Sequence, residues 1–404
     1  MLPDGSDFAV MTTTVPAFEL FSPQATGHQG GALPDGGIAV GSDGYAVLSY
    51  QLSTEVLRNP RFANSALRLM EEFGINDGSV HGFRARSIIM QDGAQQLRLR
   101  TPLARFMGPT TVQNTRDVLT DIVTGIFNDL EDTKPVDFHA GVDRRIPSLV
   151  YCHLAGAPQS DAPKVQELSE RTLALLARDP SLKPDILAAY DELFLYLNDL
   201  MERKRGLGLG DDMLSHLMAL ADEGKLTAQE LFDEATSMLE ASSVNTGHQI
   251  GLVVWNLLRN REVWEQIVAD PTWIPSAVVE ALRLYPRTGV ISKIATEDME
   301  VGGVTIPAGA DVHVAVWSAN RDPERFENPG EFVLGRERNQ PLTFSTGPHN
   351  CLGQGLAKVE IEEVVSHLAR HYPQASVVES ESAISQTAGR WTIKKLTVDL
   401  GGRS

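Results

Sequence analysis

The chain has 404 residues, 42% hydrophobic and 22% charged, the balance of a folded globular protein. Its formal net charge of -18, with no basic stripe interleaved with aromatics, excludes nucleic-acid binding driven by phosphate neutralisation. Residues 1–16 lack a basic segment leading into an apolar run, and nowhere do roughly 18 apolar residues follow one another. No membrane insertion is therefore expected, and a cytoplasmic protein is.

Residues 1–44, rich in Gly, Pro, Ser and Asp, read as an N-terminal arm, and 45–404 as one domain without repeat or linker. Gly44–Val56 reads as a strand and then a helix capped by Ser53 or Thr54. From Val112 to Ala269 apolar residues recur with the helical period, broken by a Gly-rich, mobile connection at Lys204–Asp212. The longest helical signal runs from Thr227 to Asn260, with Thr227 and Glu230 as a capping box and a weakly charged, buried middle. Ile274–Tyr285 is a further helix, stopped by Pro286. Val301–Val316 alternates around Gly302-Gly303 and Pro307-Ala308-Gly309, a hairpin signature. Ala319–Leu342 has no period, and connections that long usually serve a function. A last helix follows Cys351 to about His371, and strands close the chain. The fold class is mainly α with a minor β portion.

Only Cys152 and Cys351 are present, which excludes a disulfide framework and suits a reducing compartment. Cys152 lies in the apolar run Ile146–Leu154 and reads as a core thiol. Cys351 closes Phe344-Ser345-Thr346-Gly347-Pro348-His349-Asn350-Cys351-Leu352-Gly353. Just before a helix, unpaired N–H groups and the dipole favour an anion, so the thiol pKa is expected to fall. An inert thiol on a Gly-rich turn and a nucleophile served by His349 are the other readings. Zinc is disfavoured, since neither cysteine has a partner at ligand spacing.

This segment resembles the haem-binding signature of the cytochrome P-450 family, Phe-Gly-x-Gly-x-His-x-Cys-x-Gly, with Phe344, Gly347, His349, Cys351 and Gly353 in place. Ser345 departs from it, standing where the first Gly belongs. The resemblance implies that Cys351 is the axial ligand of the iron of haem b, that Phe344 packs by the sulfur, and that His349 reaches a propionate. Glu280-Ala281-Leu282-Arg283, about 70 residues upstream, matches the family's Glu-x-x-Arg helix, and Arg336 matches the Arg that joins this pair as a structural anchor. Arg100 matches a propionate-binding Arg; Gln96 and Lys293 replace a His and an Arg and are expected to contact the cofactor too. The implied fold is a single triangular domain with haem between the long central helix and the cysteine-bearing helix.

The central helix breaks the pattern. Where the family carries Ala-Gly-x-(Asp or Glu)-Thr-Thr, this chain reads Ala241-Ser242-Ser243-Val244-Asn245-Thr246. Val244 cannot relay a proton. Asn245, helped by Ser242 and Thr246, is the expected oxygen-side group, with protons arriving through water or substrate. By family position, Phe83, Ile89, Met90, Leu239, Ser243, Val290, Ile291 and Trp391 line a mostly apolar substrate pocket. His367 and His371, four apart, read as a solvent-exposed pair rather than metal ligands.

The expected reading is a monooxygenase inserting one oxygen atom from O2 into a mostly apolar small molecule, by hydroxylation, in secondary metabolism. Its electrons would come from a separate ferredoxin or flavoprotein, docked near Arg98, Arg105 and Lys358. A peroxide-driven or oxidative-coupling enzyme and a non-catalytic haem-binding protein are the alternatives.

Overall fold

The computed structural model describes residues 37–402 apart from 42, 131–133 and 388. The predicted arm therefore lies largely outside the described residues.

Five strands form the main sheet, in the order β1 (Ile38–Gly41), β2 (Gly44–Val47), β8 (Asp311–Ala315), β5 (Val290–Ala295), β3 (Phe62–Asn64). Only β2 and β8 run parallel; the other neighbours are antiparallel. The predicted boundary after residue 44 falls inside β2, after its first residue, and leaves its hairpin partner β1 on the other side. Helix α1 (Tyr50–Arg58) follows β2 and is capped by Ser49, which accepts the Leu52 N–H, rather than by Ser53 or Thr54. Strands β6 (Met299–Val301) and β7 (Val304–Ile306) turn at Gly302-Gly303, both with positive φ, as a tight hairpin requires.

The helical part opens with α2 (Ala66–Glu72), α3 (Gly78–Arg86), α4 (Gly93–Phe106) and α5 (Pro109–Asn128). After the short β4 (Val136–Asp137) come α6 (Arg145–Ala155), α7 (Ala162–Leu173), α8 (Lys183–Leu207) and α9 (Met213–Asp222). The predicted capping box starts α10 (Ala228–Ser242), with both reciprocal bonds present. The long signal is not one helix: it breaks at Ser243 and resumes as α11 (Val244–Arg259). Beyond it lie α12 (Arg261–Ala269), α13 (Ile274–Leu284), the short α14 (Val316–Ala319) and α15 (Gln354–His371). The tail gives β9 (Ser376–Val377), β10 (Ala383–Thr387), β11 (Arg390–Lys395) and β12 (Thr397–Asp399).

Two large apolar cores hold most of these helices, and a smaller one packs α2 and α3 against α8. The larger joins α5, α11, α13 and α15 through residues such as Val123, Phe127, Val253, Val278, Ile361 and Val365. The second joins α4 and α6–α10, including Leu103, Leu197, Leu217 and Leu239. Each such side chain stabilises the fold by about 2 kcal/mol. Cys152 lies fully buried in the second core, where desolvation pushes its thiol up to about 12, an inert group as predicted. Lys204 is buried and holds Asp212 at 2.6 Å, so the Gly-rich break is tied at both ends rather than free. His367 is buried against Phe127 with ring centroids 4.5 Å apart, so the predicted exposed His pair is instead core packing. Among the described residues, no cluster of His, Cys, Asp and Glu is arranged to hold a metal ion, and no helix is long and apolar enough to cross a membrane.

Candidate active site

Cys351 sits three residues before α15, on a loop whose backbone is fixed at several points. Its N–H donates to Phe344 O at 2.8 Å, closing the loop on itself. Gly347 has φ +77, and a Cβ there would meet Leu57 O at 2.7 Å. Ser345, in the Gly position of the motif, has φ 60 and ψ -171, a region that side chains rarely tolerate. The Lys358 ammonium lies 5.8 Å from the centre of the Phe344 ring. One face of Cys351 is open, yet the loop walls desolvate its sulfur. Burial raises the thiol pKa, and the Gly353 N–H and the Arg100 charge oppose it without reversing it. The expectation of a lowered pKa is thus corrected: the helix-start donors are present, but desolvation outweighs them. An iron centre would itself displace the thiol proton.

Cationic and donor groups converge on this loop from α4 and β5. Gln96 is buried and donates to Pro348 O at 2.6 Å. Arg100 donates to both the carbonyl and the side-chain oxygen of Asn350, the latter at 2.9 Å. His349 Nε2 meets Asp92 Oδ1 at 2.8 Å, and burial lowers its pKa. Lys293 is buried, with its pKa lowered by desolvation and partly restored by Asp92. Lys293 and Arg100 both act electrostatically on His349, so the four predicted cofactor contacts share one neighbourhood. An open thiol beside two cations, a His and an amide suits a group bearing a metal and two carboxylates. The residues fit haem.

Behind the loop stands the Glu280 network. Arg283 grips the fully buried Glu280 through two bonds of 2.8 and 2.7 Å. Arg336 reaches the same carboxylate at 3.0 Å, the Val333 N–H at 2.9 Å and Asn339 at 2.9 Å. Burial pushes the Glu280 carboxyl up, but these partners together hold it below its ordinary value. Arg283 also donates to the carbonyls of Asn320, Pro329 and Glu331. The 319–342 connection forms no ladder: local turns pair part of its backbone, and the buried ion cluster pairs the Asn320, Pro329 and Glu331 carbonyls and the Val333 N–H. Asn339 was not foreseen; a lone Asn in a polar loop carries no sequence signal.

The central helix is less settled. Asn245 Oδ1 is buried without a partner, and Ala241 is exposed on a helix otherwise largely buried. Ser242 Oγ donates to Leu239 O at 2.8 Å and lies 3.2 Å from Ser243 Oγ. Beside Ala241, Glu240 is locked to Arg84 and Tyr190, a buried cluster that sequence reasoning missed.

The eight predicted pocket residues have different surroundings. Leu239 is packed in the second core, and Val290 lies in a small cluster with Ala315 and Trp317. Trp391 packs with Trp255 and Tyr285. Phe83 meets Tyr190 and Phe194 and edges a cleft of about 720 Å³ between α3, α8 and α10. Ser243 is buried and faces a different cleft, shared with His139 and His248. Ile89 is exposed; Met90 and Ile291 are half-buried. The docking cations fare unevenly: Arg98 is engaged by Glu230, while Arg105 remains exposed.

A mainly helical domain with an anchored cysteine loop, ringed by groups suited to propionates, defines a haem-thiolate oxidoreductase. The chain belongs to the cytochrome P450 family: residues 272–386 match the family model described as Cytochrome P450. It is 32% identical over 336 residues to nocardicin C N-oxygenase of Nocardia uniformis subsp. tsuyamanensis, covering 82% of this chain and 83% of that one. It is 31% identical to luteothin monooxygenase of Streptomyces thioluteus, covering 80% of each. Among solved structures it resembles CxnD, a cytochrome P450 enzyme for C–S bond formation in chuangxinmycin biosynthesis, with TM-score 0.79, 28% identity and coverage of 90% and 89%. The relatives are oxidoreductases, which sets aside the non-catalytic reading.

Proposed function

We propose that this chain is a monooxygenase that inserts one atom of O2 into a mostly apolar small organic substrate, using haem b and electrons from a separate ferredoxin or flavoprotein. The observation that carries this reading is Cys351, open on one face, with the Gly353 N–H turned to its sulfur and Arg100 beside it. Haem bound there supplies an oxidant for C–H bonds, with thiolate donation promoting O–O cleavage. The chain's own residues hold and tune it. Cys351 ligates the iron, and Arg100, Lys293, His349 and Gln96 are the donors available to the propionates. Phe344 shields the sulfur, while Glu280, Arg283 and Arg336 fix the loop. Asn245 is the polar group on the substrate side, where its unpaired oxygen would accept from water or substrate.

Haem-loaded protein, reduced under carbon monoxide, is expected to show the red-shifted Soret band of thiolate ligation. Consumption of NAD(P)H with a ferredoxin and its reductase, together with an oxygenated product, supports the reading; turnover on peroxide alone contradicts it. A panel of compounds scored by Soret shift finds the substrate class.

Val244 and Asn245, in place of the family's acid and alcohol, favour a second reading, oxidative coupling without oxygen insertion. CxnD, acting in C–S bond formation, shows that a relative performs bond formation. A product that gains no label from 18O2 would favour this alternative.

A further inference from the structure

With Val244 at the acid position, the central helix has no carboxylate there to carry protons to the substrate side. Behind that helix lies a buried titratable cluster to which the haem site gives no role. His139–Asp143 form a single π-helical turn, a form that often marks functional positions. His139 Nδ1 lies 2.7 Å from Asp143 Oδ1. The His248 ring, from α11, stacks on His139 with centroids 4.8 Å apart. Asp143 is fully buried, and its second oxygen has no hydrogen-bond partner. That oxygen presses on Gly251, where a Cβ would come within 2.2 Å.

The rear cleft joins this cluster to the helix break. It is bounded by His139, His248, Gln166, Glu170, Ser243 and Val244, and has room for about one water molecule. At its rim Arg144 Nε donates to Glu170 Oε1 at 2.8 Å, and both side chains are about one-third exposed, which gives the cleft a polar margin. On its inner wall stands Ser243, where α10 ends and α11 begins. The Ser243 hydroxyl is 3.2 Å from that of Ser242, the next residue after the exposed Ala241. Because Ser242 already donates to Leu239 O, it accepts from Ser243. Two hydroxyls thus bridge the helix at its break.

We propose that protons reach the substrate side of the central helix from this rear cleft, handed from the Asp143–His139 pair through one water to Ser243 Oγ and on to Ser242 Oγ. The step conserves protons. The cleft water gives one to Ser243 Oγ as the Ser243 hydroxyl proton passes to Ser242 Oγ. The Ser242 hydroxyl turns away from Leu239 O and gives its proton to a water on the substrate side, and the Asp143–His139 pair replaces the proton that the cleft water lost. No electrons move along this path. The role rests on the monooxygenase reading, since O2-dependent insertion consumes protons.

The charges around the pair suit the task. Burial raises the Asp143 carboxyl to about 6, against the lowering effect of His139 and Arg144; Asp137 raises it further. His248 is driven down to about 2 by burial, then by Arg287, His139 and Arg144, so it stays neutral. Its Nδ1 accepts the Ile393 N–H at 3.3 Å, which leaves Nε2 carrying the hydrogen. Glu170 faces the same cleft from α7. A carboxyl poised near 6 beside an imidazole can give and regain a proton near neutrality.

The test uses the full haem-loaded chain with a redox partner and NAD(P)H. Ser243→Ala should raise the share of electrons lost as peroxide several-fold and enlarge the solvent deuterium isotope effect, while Ser243→Thr restores both. Asp143→Asn should act in the same direction and remove any change in coupling centred near pH 6. Independently of turnover, isotope-edited infrared spectroscopy should show the Asp143 carboxyl protonating near 6, in the protein with or without haem. If Ser243→Ala couples as well as wild type, or if Asp143 titrates in the ordinary carboxylate range, the proposal is overturned. If the wild-type chain shows the thiolate spectrum but reduces no O2, the monooxygenase reading fails by itself. The relay is then judged by proton uptake on haem reduction, followed with an indicator dye. Slower uptake in Ser243→Ala supports it, and unchanged uptake overturns it.

Discussion

Around Glu280 and the cysteine loop, the charged groups are paired several times over, although Asn339 Oδ1 there is buried without a partner. Along the central helix and its rear packing, Asn245 Oδ1, Asp143 Oδ2 and Glu234 Oε2 are buried with no partner. On the cysteine side, contacts from α4, β5, α13 and the 319–342 connection over-determine one geometry. On the helix side, orphaned oxygens are the mark of groups that wait for water, substrate or a proton. The contrast separates what holds a cofactor from what selects a reaction.

Cys351→Ala tests the first half of the contrast most severely: the reduced carbon monoxide spectrum should lose its thiolate signature entirely. Glu280→Ala should come next, since it leaves two guanidiniums buried without their carboxylate. Denaturant unfolding should show a loss of about 3–5 kcal/mol, whereas Asn245→Ala, which removes an already unpaired oxygen, should change stability by less than about 1 kcal/mol. Equal losses at the two sites would break the comparison.

Asp143→Asn sharpens it through pH. The folded chain holds the Asp143 proton up to about 6, whereas an unfolded Asp releases it near the ordinary value of about 4. Because the folded pKa is the higher, wild-type stability falls as pH rises between those values and levels off above them. The variant lacks this slope, so its stability relative to wild type should climb by about 2–3 kcal/mol across that window. A flat difference would mean that the carboxyl is not desolvated.

The smallest effect is expected on the well-paired side. Ser345 is strained at φ 60, and Ser345→Gly should raise stability by about 1 kcal/mol, read as a higher melting temperature with an unchanged spectrum.

Legibility in the sequence followed the same divide. Cys351, Glu280, Arg283 and Arg336 could be read because each belongs to a short, ordered motif. The structure joins Glu280, Arg283 and Arg336 around one carboxylate. The break at Ser243 could not be read, since no Pro interrupts Thr227–Asn260 and tertiary packing decides where the helix yields. The meeting of His139 and Asp143 with His248 depends on a π-turn that no local pattern announces. Leu239 and Trp391 were expected in the substrate pocket by family position; their packing against the second core and against Trp255 could not be read from it. The direction of the Cys351 shift failed for a related reason: donors at a helix start are visible in a sequence, but the depth of burial opposing them is not.

The Glu280 cluster also bears on assembly. Its bonds gather a helix and a long irregular segment around one carboxylate. The cysteine loop is thus backed by protein contacts that lie apart from the groups offered to haem, and such preorganisation lowers the cost of binding. Chains with a wild-type loop should capture haem after folding, while those with a loosened Glu280 anchor would have to fold around it.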